Sequence, residues 1–209
     1  MKTKTINAIS YIKRIGVIPV VAAGLILVGC KKDDEDPHHE HDHEVFTDVK
    51  LIFTNTEDSK DVVEATAQDP DGEGVKQLEV KSAINLDTSK SYTLTFEIMN
   101  NLESPGEDIG AEIKEEDDEH QVFFSFTEGA FSNPGGNGNI DKASDPIQYE
   151  DEDDNGFPVG LKTLWETSST PGSGTFTVQL QHQPDVKTAT SSVEDGDADF
   201  VLRFELNIN

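Results

Sequence analysis

Apolar and polar residues alternate with a period of two along several stretches of the chain. In 92–98, Tyr92, Leu94, Phe96 and Ile98 fall on one face, and 175–180 and 200–208 alternate in the same way. Residues 49–54 are β-branched and aromatic. Such patterns mark strands with one buried and one wet face. Shorter stretches at 62–67, 77–80, 122–126 and 161–166 are weaker strand candidates. Turn-forming residues separate them: Asp69-Pro70-Asp71-Gly72, Asn133-Pro134-Gly135-Gly136, Asn155-Gly156 and Pro171-Gly172. Seven or eight strands of this kind predict a mainly β fold, an antiparallel β-sandwich of Ig-like or Greek-key type.

One segment departs from the alternation. Residues 107–120 follow Pro105, contain few β-branched residues, and place Ile109 and Ile113 four apart. The spacing predicts a short acidic helix. On such a helix Glu112, Glu116 and His120 would share one face. The run 115–119 would crowd negative charge at the helix C-terminus, where the dipole disfavours it.

The N-terminal region cannot belong to the sandwich. Lys2, Lys4, Lys13 and Arg14 precede an apolar run at 15–28, which has the length of an export signal and is short for a transmembrane helix. The run ends in Leu27-Val28-Gly29-Cys30, and Cys30 is the sole cysteine. This resembles a bacterial lipobox, which implies a signal peptide at 1–29 and acylation of Cys30, with membrane anchoring through the lipid. Residues 31–44 contain no apolar residue except Pro37 and read as a disordered tether. The expected organisation is therefore signal 1–29, lipidated tether 30–44 and sandwich 45–209.

Charge narrows the class of partner. The whole chain has a formal charge of −26. Loss of residues 1–29 leaves 12 basic against 42 acidic residues, or −30. Phosphate binding needs a basic patch, so nucleic acid is excluded as a partner. Such charge serves solubility, and it also attracts cations as ligands.

The histidines sharpen that expectation. His38, His39, His41 and His43 alternate with acids in the tether, and the other two of the six are His120 and His182. Imidazole suits zinc and copper, and short His-rich tracts bind metal. A floppy tract collects ions with modest affinity. A more selective site is expected from His120, His182 and Glu116, should the fold bring them together. A second class of cation is also in view. Asp151, Asp153 and Asn155 begin like a calcium loop, although Lys162 stands where an EF-hand needs glutamate. No nucleophile elbow, H-E-x-x-H or phosphate-loop motif is present, so an enzyme is not expected. Trp165, alternating with Thr163 and Leu161, is expected in the core rather than as a sugar platform.

Two resemblances add to this. Lys32-Asp33-Asp34-Glu35, close behind Cys30, resembles the surface-export signal of Bacteroidota lipoproteins. That implies display on the outer face of the outer membrane. The chain also resembles a group of small Bacteroidota lipoproteins often labelled "type 1 periplasmic binding fold". The resemblance rests on the His-rich tether, Asp69-Pro70-Asp71-Gly72, the acidic run into Glu119-His120-Gln121-Val122-Phe123-Phe124, the strand from Gly160 and Leu161 to Trp165, and Leu180-Gln181-His182-Gln183-Pro184-Asp185. It implies an accessory of TonB-dependent outer-membrane receptors. Because the pattern is nearly all β, the resemblance bears on location and class, not on fold. The expected function is a surface lipoprotein binding zinc, with copper next, in metal uptake. The alternative is a calcium-stabilised glycan-binding or adhesion module.

Overall fold

The computed structural model describes residues 44–69, 71, 72, 77–142 and 144–209. Twelve strands and one helix follow in the order β1 (Asp48–Asn55), β2 (Val62–Gln68), β3 (Glu79–Val80), β4 (Ile84–Leu86), β5 (Ser91–Asn100), β6 (Glu107–Asp108), α1 (Ile109–Glu115), β7 (His120–Phe126), β8 (Phe131–Asn133), β9 (Gln148–Tyr149), β10 (Lys162–Thr167), β11 (Gly172–His182) and β12 (Asp197–Ile208). The fold is mainly β, as the alternation predicts. One sheet runs β3-β2-β1-β5-β10-β8, with β6 paired to β5 and β9 to β10. The other runs β4-β12-β11-β7. Pairing is antiparallel except where β4 joins β12 in parallel. Among the described residues no helix is long and apolar enough to cross a membrane. The expected signal, lipidated Cys30 and tether histidines lie outside the described residues.

The two inner faces meet in a single core. Val49, Leu51 and Phe53 of β1, Tyr92 and Leu94 of β5, and Trp165 of β10 come from the first sheet; Phe124 of β7, Phe176 of β11 and Phe204 of β12 come from the second, and all are 0–1 % exposed. Trp165 packs edge-on to Phe176, ring centroids 4.9 Å apart, and to Phe124 at 5.3 Å. Its indole N–H donates to Thr163 Oγ1 at 2.7 Å. Buried with its polar atom satisfied, it is a core residue with no face left for a sugar.

The helix is shorter than the sequence predicts. Asp108 caps its N-terminus, its side chain accepting from the Ala111 N–H, and Ile109 and Ile113 are buried. The helix ends at Glu115, because five consecutive carboxylates at 115–119 oppose its dipole and the apolar run beyond favours a strand. His120 therefore opens β7 and never joins Glu112 and Glu116 on one helix face. Residues 107–108, expected helical, form the short strand β6 instead.

Candidate metal centre

The parity of two strands brings His120 and His182 to the inner side of the sandwich. Val122, Phe124 and Phe126 are core residues of β7, so His120, at the same parity, points the same way. Val178 and Leu180 set the parity of β11, and His182 continues it. The register pairs His120 directly with His182, and their rings stack at 4.7 Å with planes 10° apart. The two histidines meet in space. Their parallel stacking, however, keeps them from sharing an ion. An imidazole binds a metal along its in-plane lone pair, and one ion about 2.0–2.1 Å from both nitrogens cannot lie in two stacked planes.

The ligating atoms converge elsewhere. Among the described residues, one atom each from Glu44, His120 and Asp199 lie within 4.8 Å of one another. His120 Nε2 is 3.5 Å from Glu44 Oε1 and 3.9 Å from Asp199 Oδ2. The His120 side chain is 0 % exposed, and those of Glu44 and Asp199 are 15 % and 16 % exposed. Among the described residues, neither His120 Nε2 nor Asp199 Oδ2 has a hydrogen-bond partner. Ligand atoms around a tetrahedral zinc, each about 2.0–2.1 Å from the ion, stand about 3.4 Å apart. The His120–Glu44 distance of 3.5 Å is close to that spacing, and the His120–Asp199 distance of 3.9 Å is about half an ångström longer.

Glu116 contributes to this site, but through its backbone. His120 Nδ1 lies 3.1 Å from the Glu116 carbonyl oxygen. A carbonyl only accepts, so Nδ1 carries the proton and donates. That fixes the tautomer and leaves the Nε2 lone pair toward the two carboxylates. The Glu116 carboxylate is not part of the group. His182 Nε2 faces Glu119 Oε2 at 3.4 Å. It supports the His120 ring by stacking.

Each element delivers its residue for a local reason. Asp199 sits at a β-bulge: Leu180 pairs with Phe200 and Gln181 with Ala198, so Asp199 has no partner on β11. Along β12 the residues Phe200, Leu202, Phe204 and Leu206 face the core, and regular alternation would turn position 199 outward. The extra residue re-aims the side chain, a common use of bulges. Gly196 sets up the start of β12: its φ is +85°, and a Cβ there would stand 2.0 Å from the His182 carbonyl oxygen. Glu44 is placed by the residues behind it. The Thr47 N–H donates to the Met99 carbonyl at 3.0 Å, and Phe46 packs edge-on to Phe200 at 5.3 Å. The last residue of the expected tether is thus part of the domain.

Electrostatics agree with a site that wants positive charge. Burial lifts the Asp199 carboxyl, and the nearby Glu44 and Asp197 charges lift it further, against the pull of His120, to about 7. Burial opposes charging of His120, but Glu44, the Glu116 carbonyl and Asp199 outweigh it and raise its pKa. A cleft of about 560 Å³ opens onto the group, with Glu44, Asp69, His182, Asp197 and Asp199 on its polar side.

Asp151 and Asp153 are otherwise engaged. Asp151 accepts from the Gly160 and Lys162 amides, each at 2.9 Å. Asp153 Oδ1 accepts from the Asn155 and Phe157 amides, and its Oδ2 pairs with Lys187 Nζ at 3.1 Å with both side chains 2 % exposed or less. Burial works against the Asp153 charge, but these amides and Lys187 outweigh it and hold its pKa below the usual value. The Lys187 ammonium thus already neutralises the Asp153 carboxylate. The loop acids serve as staples.

Sequence reasoning missed Glu44 and Asp199. Neither a bulge nor the reach of a tether residue has a sequence signature. Comparison with protein-family models, with curated proteins and with solved structures gives no match.

Proposed function

We propose that the protein is an outer-membrane surface lipoprotein, anchored through Cys30, that captures a transition metal at Glu44, His120 and Asp199 as an accessory to uptake. Zinc is the first candidate and copper the next. The observation that carries this reading is the buried His120 Nε2. It faces two carboxylate oxygens, and among the described residues neither this nitrogen nor Asp199 Oδ2 has a hydrogen-bond partner. Such an arrangement is costly unless a cation lies between the groups. A proton on Nε2 satisfies one neighbour; a divalent ion satisfies all three and balances the two carboxylate charges.

The donor set favours the metal class. One imidazole and two carboxylates suit zinc or copper, while calcium takes six to eight oxygens. The His120–Glu116 bond supplies the backbone orienter that metal-bound histidines have. Charge supports capture of cations from outside, because acids outnumber bases by 42 to 16. In this reading the tether histidines concentrate ions near the membrane, and a TonB-dependent receptor takes the ion onward.

Calorimetric titration tests the site. The full chain with His38, His39, His41 and His43 replaced by Asn removes the collector and keeps the buried group. One zinc per chain is expected. Asp199→Asn, which keeps shape and removes charge, is expected to weaken binding at least tenfold, about 1.4 kcal/mol. Equal isotherms for the two proteins would sink the reading.

A further inference from the structure

Glu44, His120 and Asp199 supply three donor atoms, and a four-coordinate ion needs one more. His120 lies beneath the site, fully buried, whereas Glu44 and Asp199 both line the cleft of about 560 Å³. An ion held by all three would have its remaining coordination position turned toward that cleft. His182 also lines the cleft, but its ring is stacked parallel on His120 and cannot reach the same ion in plane. The cleft walls have a definite chemistry. Glu44, Asp69, Asp197 and Asp199 contribute carboxylates, and among the described residues no lysine or arginine lines it. Phe46 and Leu78 supply apolar surface on the same walls.

We propose that the ion is bound in this cleft together with an exogenous amine- or imidazole-bearing ligand, which fills the coordination position that the three protein donors leave open. This rests on the metal reading above and specifies the species that the site takes. A nitrogen donor adds no negative charge to a site that already holds two carboxylates. A ligand that also carries an ammonium group gains from Asp69 and Asp197. Anionic chelators such as citrate meet like charge, and none of the described lining residues is cationic. The cleft thus selects metal complexes of basic, partly apolar ligands over metal complexes of organic acids.

Cobalt(II) tests this, since its visible absorption reports coordination directly. The chain with the four tether histidines replaced by Asn is loaded with one equivalent of cobalt and titrated with histamine or with citrate. Histamine is expected to change the visible bands saturably while cobalt stays with the protein on gel filtration. Citrate is expected to remove cobalt without an intermediate spectrum. Asp69→Asn, at a residue that lines the cleft but is neither a donor nor one of the charges that shift Asp199, is expected to leave cobalt affinity nearly unchanged and weaken histamine about tenfold, the usual effect of losing one charged partner. Histamine that strips cobalt as citrate does, or leaves the spectrum unchanged, overturns the proposal and leaves the metal site standing. Failure of the protein to bind cobalt, zinc or copper overturns both.

Discussion

A single hydrogen bond decides what His120 can do. With Nδ1 donating to the Glu116 carbonyl, Nε2 is left to Glu44 and Asp199, and the chemistry of the site follows from that lone pair. Glu44 is the most informative residue to change, because it lies outside the sheets. Glu44→Gln removes both its repulsion with Asp199 and its attraction for protonated His120, so the melting temperature of the metal-free protein is expected to change little near neutral pH. The substitution is expected to weaken zinc by more than the ~10–100-fold that loss of an outer-shell partner costs, measured by competition with a chromophoric chelator. A second residue-scale prediction concerns Lys187. Lys187→Met leaves the Asp153 carboxylate buried without its ion pair and is expected to cost about 3–5 kcal/mol in urea denaturation. Adding Asp153→Asn should recover much of that loss, while zinc binding is unaffected in either variant.

At the scale of elements, strand parity was the legible part of the site. Counting back by twos from Phe126, Phe124 and Val122 puts His120 on the core face, and counting forward from Leu180 does the same for His182. The helical spacing of Ile109 and Ile113 instead predicts a helix through His120, because the acids beyond them carry no apolar signal. The competing strand preference of 122–126 reached back two residues further than expected. The bulge at Asp199 could not be foreseen, since it is a mismatch between two strands rather than a property of either. Glu44 was hidden for another reason: its neighbours have the composition of a tether, and composition says nothing about the one residue that folds back. The role of Gly196 leads to a prediction. A side chain there meets both a left-handed φ and the His182 carbonyl. Gly196→Ala is expected to destabilise by at least ~1–2 kcal/mol, seen in urea denaturation. It should also weaken zinc, because Asp199 begins from that turn.

For the whole molecule the governing quantity is negative charge. Acidic side chains dominate the chain, and the site gathers some of them where water is scarce. The pH dependence follows with a definite sign. The Asp199 pKa is about 7 in the fold against 3.8 ordinarily, so between those values the metal-free fold holds a proton that the unfolded chain has released. Stability of the metal-free protein from this group therefore falls as pH rises from about 4 toward 7. His120, with its pKa raised by the same neighbours, acts in the same direction: its contribution is present below the ordinary histidine pKa and is lost as pH rises through the folded value. A metal must displace these protons, so zinc affinity should rise over the pH range in which metal-free stability falls. Thermal melts across that range, with and without zinc, check this. The gap between the two curves should widen with pH and should flatten in Asp199→Asn.

X-ray absorption at the zinc edge tests the central claim most directly, on the zinc-loaded chain whose four tether histidines are Asn. Glu44, His120 and Asp199 as ligands predict one imidazole per zinc, in a shell of nitrogen and oxygen about 2.0–2.1 Å from the ion. Two imidazoles per zinc would contradict the stacked arrangement of His120 and His182, and none would contradict the site itself.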